Sequence, residues 1–566
     1  MTGLTRRDVL RRGGALALAA GGWSLIGPFG AGAAPASAAT LPPFSLPLRV
    51  PRTITDPDVT LRVAPADVQV FPGGPATRMW TFGGEFPGPI IRRPGGSTTR
   101  LTFEHALPAS AGTLTIHHHG HHSRSSEDGQ PDEFLIAPGA GRTYTYEHVE
   151  DGAPLRAAMR WYHDHSHGQT NRNAWMGLVG LFITNDDHEG SLRLPSGDAE
   201  LALVLCEREF DGDNQLTQPF APAAPPGDDA VGTAVNGTQR TLVNGVPEPY
   251  ADVEARRYRL RILNASAFHP YDLSFDDGMA FQIVGTESGL LPEPVAATSV
   301  LIGPAERVDV VVDFAQAPGE HVVLRSRPQP STAPATAAAD AQIMQFRVGA
   351  ARVADPSRVP AVLRPLPAWA KALQAAGPRQ LPDRVFAFGL GVDPAGTTAW
   401  TINGRPYDPA RVDARPELGA TETWLLVNTS ATSHYAHLHD QDWIVLGRDG
   451  AAPAAREAGL KETFRLDPGE TVLVGTRFTD HLGRFMVHCH MLNHEDHAMM
   501  TAFEVVEPGQ GSPTAVVAAE AARVEQIVAH QRSRAGRPAP APARPLEIDL
   551  LGSATVDACD LRRALR

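Results

Sequence analysis

Short apolar runs dominate the chain. YRLRILNAS (258–266), RVDVVVDF (307–314), TWLLVNTS (423–430) and TVLVGTRF (471–478) are rich in Val, Ile, Leu, Phe or Tyr and are bounded by Pro, Gly, Asn and Asp. Runs of that length and bordering predict strands. Helical periodicity is scarce before residue 510. The repeated pattern predicts an all-β protein built of sandwiches or barrels. Three blocks emerge: about 45–190, about 195–350 and, after a Pro/Ala-rich linker at 351–384, about 385–507. A tail, 508–566, follows; its segment 514–532 has helical spacing and 536–545 is Pro-rich and expected to be extended.

The first residues break this pattern. Arg6 and Arg7 precede an Ala/Leu/Gly-rich stretch, Gly13 to Ala34, and Ala36-Ser37-Ala38 offers a small-residue cleavage site. Residues 1–38 therefore read as a twin-arginine (Tat) signal, with the Tat export machinery as a partner and an extracellular or cell-envelope destination. No later stretch is apolar enough to span a bilayer, so the mature form is expected not to insert stably in a membrane. The net charge of −13 comes without a basic stripe, which argues against nucleic acid. Lysine occurs only at Lys371 and Lys461, which reads as a codon bias. Three cysteines, Cys206, Cys489 and Cys559, are too few for a disulfide scaffold.

Histidine changes the picture. Of 22, nine fall between His117 and His167 and eight between His434 and His497, while the middle block holds only His269 and His321. Two remote clusters point to one metal site where the first and third blocks meet, with the middle block holding them in register. The clusters contain four HxH pairs: His117/His119, His163/His165, His437/His439 and His488/His490. On a strand, residues i and i+2 share a face, so each pair presents two imidazoles side by side. Eight imidazoles are too many for one ion and suit a cluster of three. In His488-Cys489-His490 the cysteine faces the other way and can hold a separate ion, with His434, His494 and a weak axial Met499 completing the two-His, one-Cys, one-Met set of an electron-transfer copper site. The tripeptide then links the two sites covalently. His118, His121, His122 and His167 read as solvated or supporting residues, and His497 and Met500 as structural ones.

These residues resemble the multicopper oxidase family. WYHDHSHGQTNRNAWMGLVGLFIT (161–184), VEARRYRLRILNAS (253–266), GPAERVDVVVDF (303–314) and HCHMLNHEDHAMM (488–500) are similar to its spore-coat laccase, bilirubin oxidase and phenoxazinone synthase branch. The resemblance implies three cupredoxin domains and four copper ions. His434, Cys489, His494 and Met499 would hold the type 1 ion and His117 and His437 the type 2 ion. His119, His163, His165, His439, His488 and His490 would hold the type 3 pair. Two positions depart from the pattern: Tyr435 stands where a Pro is usual, and His118 where Trp or Leu is usual. Neither removes a ligand. The implied reaction is one-electron oxidation of a donor, four times over, coupled to reduction of O2 to water. Asp128 and Glu495 match the family's proton-donor positions, and His494 is expected at the solvent edge, where the donor meets the site. Phenols, aminophenols or bilirubin-like molecules are the expected donors. The alternative is a metallo-oxidase acting on Cu(I), Mn(II) or Fe(II), although no Met-rich docking segment accompanies the ten methionines. One chain carries every ligand, so a monomer suffices.

Overall fold

The computed structural model describes residues 37–38, 40–217, 238–327, 341–535 and 548–551. The twin-arginine segment lies outside them, apart from Ser37 and Ala38, and so does the Pro-rich stretch of the tail.

The predicted strands are present and stack as three pairs of sheets. Between Thr53 and Asn185 a five-stranded sheet faces a four-stranded one; between Glu200 and Arg352 the pair has seven and five strands; between Arg384 and Val505 it has six and four. Each domain is thus an all-β cupredoxin-like sandwich with alternating inward apolar positions. The middle domain has its own core, with Leu203, Leu260, Ile262, Val310 and Phe346 all almost wholly buried. In the third, Trp424, Trp443, Phe464 and Phe503 fill the space between the sheets.

Strand pairing brings the histidines together. In the first domain Ile116–His119 runs antiparallel to Ala158–Asp164, with His117 opposite His163 and Trp161 opposite His119. In the third, His434–Leu438 runs antiparallel to Gly483–Cys489, with His437 opposite His488 and Ala436 opposite Cys489. Directly opposed residues share a face, so each pairing doubles the density of imidazoles there.

The linker is more ordered than its composition indicates, and the tail forms the helix that its spacing predicts. The linker carries a helix, Ala368–Ala376, whose Ala370 and Leu373 pack with Leu366 on the third domain. Prolines border this stretch without interrupting it, and the apolar spacing decides. The tail forms a strand, Thr514–Val517, and a helix, Ala518–Ala535; Ala521, Val524 and Val528 bury against Val385, Val427 and Leu473 of the third domain. Among the described residues no helix is long and apolar enough to cross a membrane.

Candidate metal centre

The eight HxH imidazoles converge between the first and third domains and all are buried. Their nitrogens form three groups: His117, His119 and His437; His119, His163 and His490; and His165, His439 and His488. The Nδ1 atoms are mostly occupied. His117 Nδ1 lies 2.5 Å from the Asp128 carbonyl, His163 Nδ1 2.8 Å from the Asp164 carbonyl and His437 Nδ1 3.0 Å from the Glu462 carbonyl. His439 Nδ1 donates to Asp128 Oδ2 at 2.7 Å, and His488 Nδ1 sits 3.0 Å from Glu495 Oε2. A neutral imidazole whose Nδ1 carries the hydrogen has a bare lone pair on Nε2.

Those lone pairs point at one another. His117 and His437 Nε2 are 3.4 Å apart, His165 and His488 Nε2 3.2 Å, and His439 and His488 Nε2 3.1 Å. In neutral rings with the Nδ1 hydrogens placed as above, neither His117 and His437 nor His439 and His488 has an Nε2 hydrogen to share between them. His119 Nε2, His163 Nε2 and both His490 nitrogens have no protein partner among the described residues. Burial lowers the pKa of His119, His163, His437, His439 and His490, and holds His165 near 3, so these rings stay neutral. Buried lone pairs converging without donors are expensive unless cations lie between them. The donor set therefore fits bound metal ions.

A second site lies on the other face of the Gly483–Cys489 strand. His434 Nδ1 and His494 Nδ1 are 3.1 Å apart, and Cys489 Sγ is 3.7 Å from each. These three atoms form a compact triangle. Burial pushes the Cys489 thiol up to about 12, so it becomes a thiolate at neutral pH only when a cation shares the site. The Met491 N–H approaches Sγ at 3.4 Å, and Ser430 Oγ holds His434 Nε2 at 2.8 Å. Met499 is wholly buried in the same core cluster as Cys489. Its chain position is fixed by its N–H donating to the His494 carbonyl at 2.9 Å and by its carbonyl accepting from the Cys489 N–H at 3.1 Å.

Several expectations change. His494 is not at the solvent edge: it is fully buried, and the indole of Trp400 lies 4.1 Å away, ring centre to ring centre. Trp400 comes from the strand Thr398–Ile402, far from any histidine motif. His118, His121 and His122 are buried rather than solvated. His118 points away from the cluster and packs on Tyr146, Phe182 and His121. His122 bridges domains, lying 3.1 Å from Asp440 and 3.0 Å from Asp480. Tyr435 fits where Pro is usual because residue 303 is glycine: a Cβ there would stand 1.8 Å from the Tyr435 ring.

The two expected proton donors are set differently. Asp128 is fully buried, and desolvation raises it to about 6 despite its contacts with His117. Its loop is pressed onto the His117 strand at Gly129, φ +78°, where a Cβ would lie 2.5 Å from the Ile116 carbonyl. Burial also opposes ionisation of Glu495, but His488 and His165 outweigh it and hold the carboxyl well below the usual range. Glu495 thus stands as an acceptor facing two ligand rings. Residues absent from the sequence reading also shape the site. Asp164 accepts from Thr115 N, Ser166 N and Asn173 Nδ2 and so fixes the turn between His163 and His165. Glu462 Oε1 lies 3.1 Å from His119 Nδ1, and Arg307 pairs with it.

Family models described as multicopper oxidase match residues 65–189, 210–345 and 383–509. The chain is 31% identical over 486 residues to a laccase of Bacillus subtilis (strain 168), covering 77% of this chain and 91% of that protein. It is 30% identical over 500 residues to a bilirubin oxidase of Albifimbria verrucaria, covering 82% and 81%. The crystal structure of a laccase from Pediococcus acidilactici superposes with a TM-score of 0.69 at 29% identity, covering 82% of this chain and 95% of that one.

Proposed function

The chain belongs to the multicopper oxidase family, a copper-dependent oxidoreductase that uses O2, and we propose that it oxidises small aromatic donors with four copper ions. His434, Cys489, His494 and Met499 would hold a type 1 ion, His117 and His437 a type 2 ion, and His119, His163, His490 with His165, His439, His488 a type 3 pair. Bound copper supplies one-electron chemistry at the thiolate site and multi-electron reduction of O2 to water at the cluster. The observation that carries this reading is the placement of Cys489 in the triangle with His434 and His494, while its chain neighbours His488 and His490 join the imidazole groups on the opposite face.

The residues divide the remaining work. Nδ1 acceptors fix the ligand tautomers and ring orientations. Asp128, buried against His117 and His439 and raised to about 6, takes up and releases a proton just below neutrality and can deliver it where water is formed. Glu495 stays ionised, with Oε2 3.0 Å from His488 Nδ1, and so steadies and orients that ligand ring. Export by the Tat route is part of the same proposal, since Arg6 and Arg7 precede the domains.

Aromatic donors are favoured by the cover of the type 1 site. Trp400 lies over His494, and Phe268 and Leu390, both partly buried, pack on the same core. An indole and apolar neighbours suit a planar organic molecule better than a hydrated metal ion. Oxygen uptake by the copper-loaded protein tests this with dimethoxyphenol, o-aminophenol and bilirubin set beside Cu(I) and Mn(II). Fast uptake with the organic donors is expected. Uptake with the metals alone would establish the metallo-oxidase alternative instead.

A further inference from the structure

We propose that Arg307, acting through Glu462, is a positioning residue for the type 3 copper pair, so that the middle domain governs the cluster without supplying a ligand. This rests on the oxidase reading above.

Arg307 opens the middle-domain strand Arg307–Asp313 and is 1% exposed. Its guanidinium touches all three domains. Nε donates to the Met159 carbonyl at 3.0 Å, on the first-domain strand that carries His163. Nη1 pairs with Glu462 of the third domain and donates to the Ala305 carbonyl at 3.2 Å. Nη2 donates to the Glu287 carbonyl at 3.2 Å. Nη1 also lies 3.3 Å from His119 Nδ1, while Glu462 Oε1 lies 3.1 Å from the same atom. With a guanidinium and a carboxylate both set against Nδ1, the His119 ring is held from that side, and its Nε2, which has no protein partner among the described residues, is left facing the cluster.

The chain makes room for this pair. Gly120, immediately after His119, has φ +79°, and a Cβ there would stand 2.6 Å from Arg307 Nη2 and 3.0 Å from Glu462 Oε1. Three further bonds tie the same elements. Ser288 Oγ donates to Glu462 Oε2 at 3.2 Å, and Lys461, next to Glu462, binds Glu287 at 2.6 Å and Glu306 at 2.9 Å. A planar fork with several fixed donors is needed for these contacts, and a lysine offers only one nitrogen.

The test uses copper-loaded Arg307→Met, Arg307→Lys and Glu462→Gln, with the parent as reference. Type 1 absorption and its reduction by donor should match the parent, because His434, Cys489 and His494 do not touch the pair. The type 3 ions, silent in electron paramagnetic resonance when coupled, should become visible. Reoxidation by O2 should slow by about tenfold or more, the usual cost of losing a ligand's supporting partner. Glu462→Gln should show the same signature in milder form, and Arg307→Lys should recover only part of the coupling. Parent-like spectra and reoxidation in Arg307→Met would overturn the proposal. So would parent-like behaviour of the isosteric Glu462→Gln, which keeps the test decisive where Arg307→Met does not fold. A parent enzyme without type 1 absorption and oxygen uptake would instead defeat the oxidase reading itself.

Discussion

Asp128→Asn separates the cost of burying a carboxylate from its use. Asp128 has no exposed surface, and desolvation raises it from 3.8 to about 6. A rise of about two pH units corresponds to about 3 kcal/mol of differential interaction between the two protonation states. The sign follows from linkage. The folded pKa exceeds the unfolded one, so the group's contribution to stability is complete below about pH 4 and is lost as pH rises through about 6. Asparagine keeps an oxygen for the His439 Nδ1 donor and cannot ionise. The copper-free variant should therefore resist urea better than the parent at neutral pH, by up to about 3 kcal/mol, and as well as the parent near pH 4. The copper-loaded variant should do the reverse in turnover. With the proton source removed, oxygen uptake should fall by roughly a hundredfold or more, within the range of general acid–base contributions, while type 1 absorption and copper content stay at parent values. Urea denaturation of the apoprotein and oxygen-electrode rates of the loaded enzyme read the two halves separately. An unchanged rate across the pH range would refute the proton role. An unchanged urea midpoint at neutral pH would refute the desolvation argument.

Two further outcomes concern the frame around the site. Gly303→Ala drives a Cβ into the Tyr435 ring and should destabilise the protein by roughly 1–3 kcal/mol, as overpacking usually does; a parent-like thermal midpoint would show that the ring yields freely. His122 is opposed by burial but raised well above its ordinary value by Asp440 and Asp480. Its contribution to stability is therefore full below about pH 6.5 and lost as pH climbs through the folded value. Thermal scans from acid to mildly alkaline pH should show that decline in the parent and a flatter profile in His122→Gln.

Much of this was legible along the chain because ligand chemistry here is local. HxH on a strand fixes two rings on one face, and HCH fixes the opposite faces of ligands to two sites, whatever surrounds them. The supporting residues were not legible, because their roles depend on which strands meet. Arg307 stands inside RVDVVVDF, a run read for its apolar positions, although a charge at the head of a buried strand was a signal. Lys461 looked like half of a codon bias, yet it is buried between Glu287 and Glu306. Trp400 lies far from every metal motif and reaches His494 only through the packing of the third-domain sheets. His118 and His121 are buried because the opposite face of their strand is covered, which a run of histidines does not reveal by itself.

The division of ligands between domains also sets an order of assembly. The type 1 triangle, His434, Cys489 and His494, belongs wholly to the third domain, whereas each group of cluster imidazoles draws on both the first and the third. A preformed pocket can fill on its own; a shared one exists only once its halves dock. For the shared ions, affinity and domain docking are one free energy, and copper behaves as a fastener between the first and third domains. Copper-starved chains should therefore accumulate as blue but oxygen-inert molecules, hinged open between domains and readily cut by protease, and each ion gained at the seam should close them further.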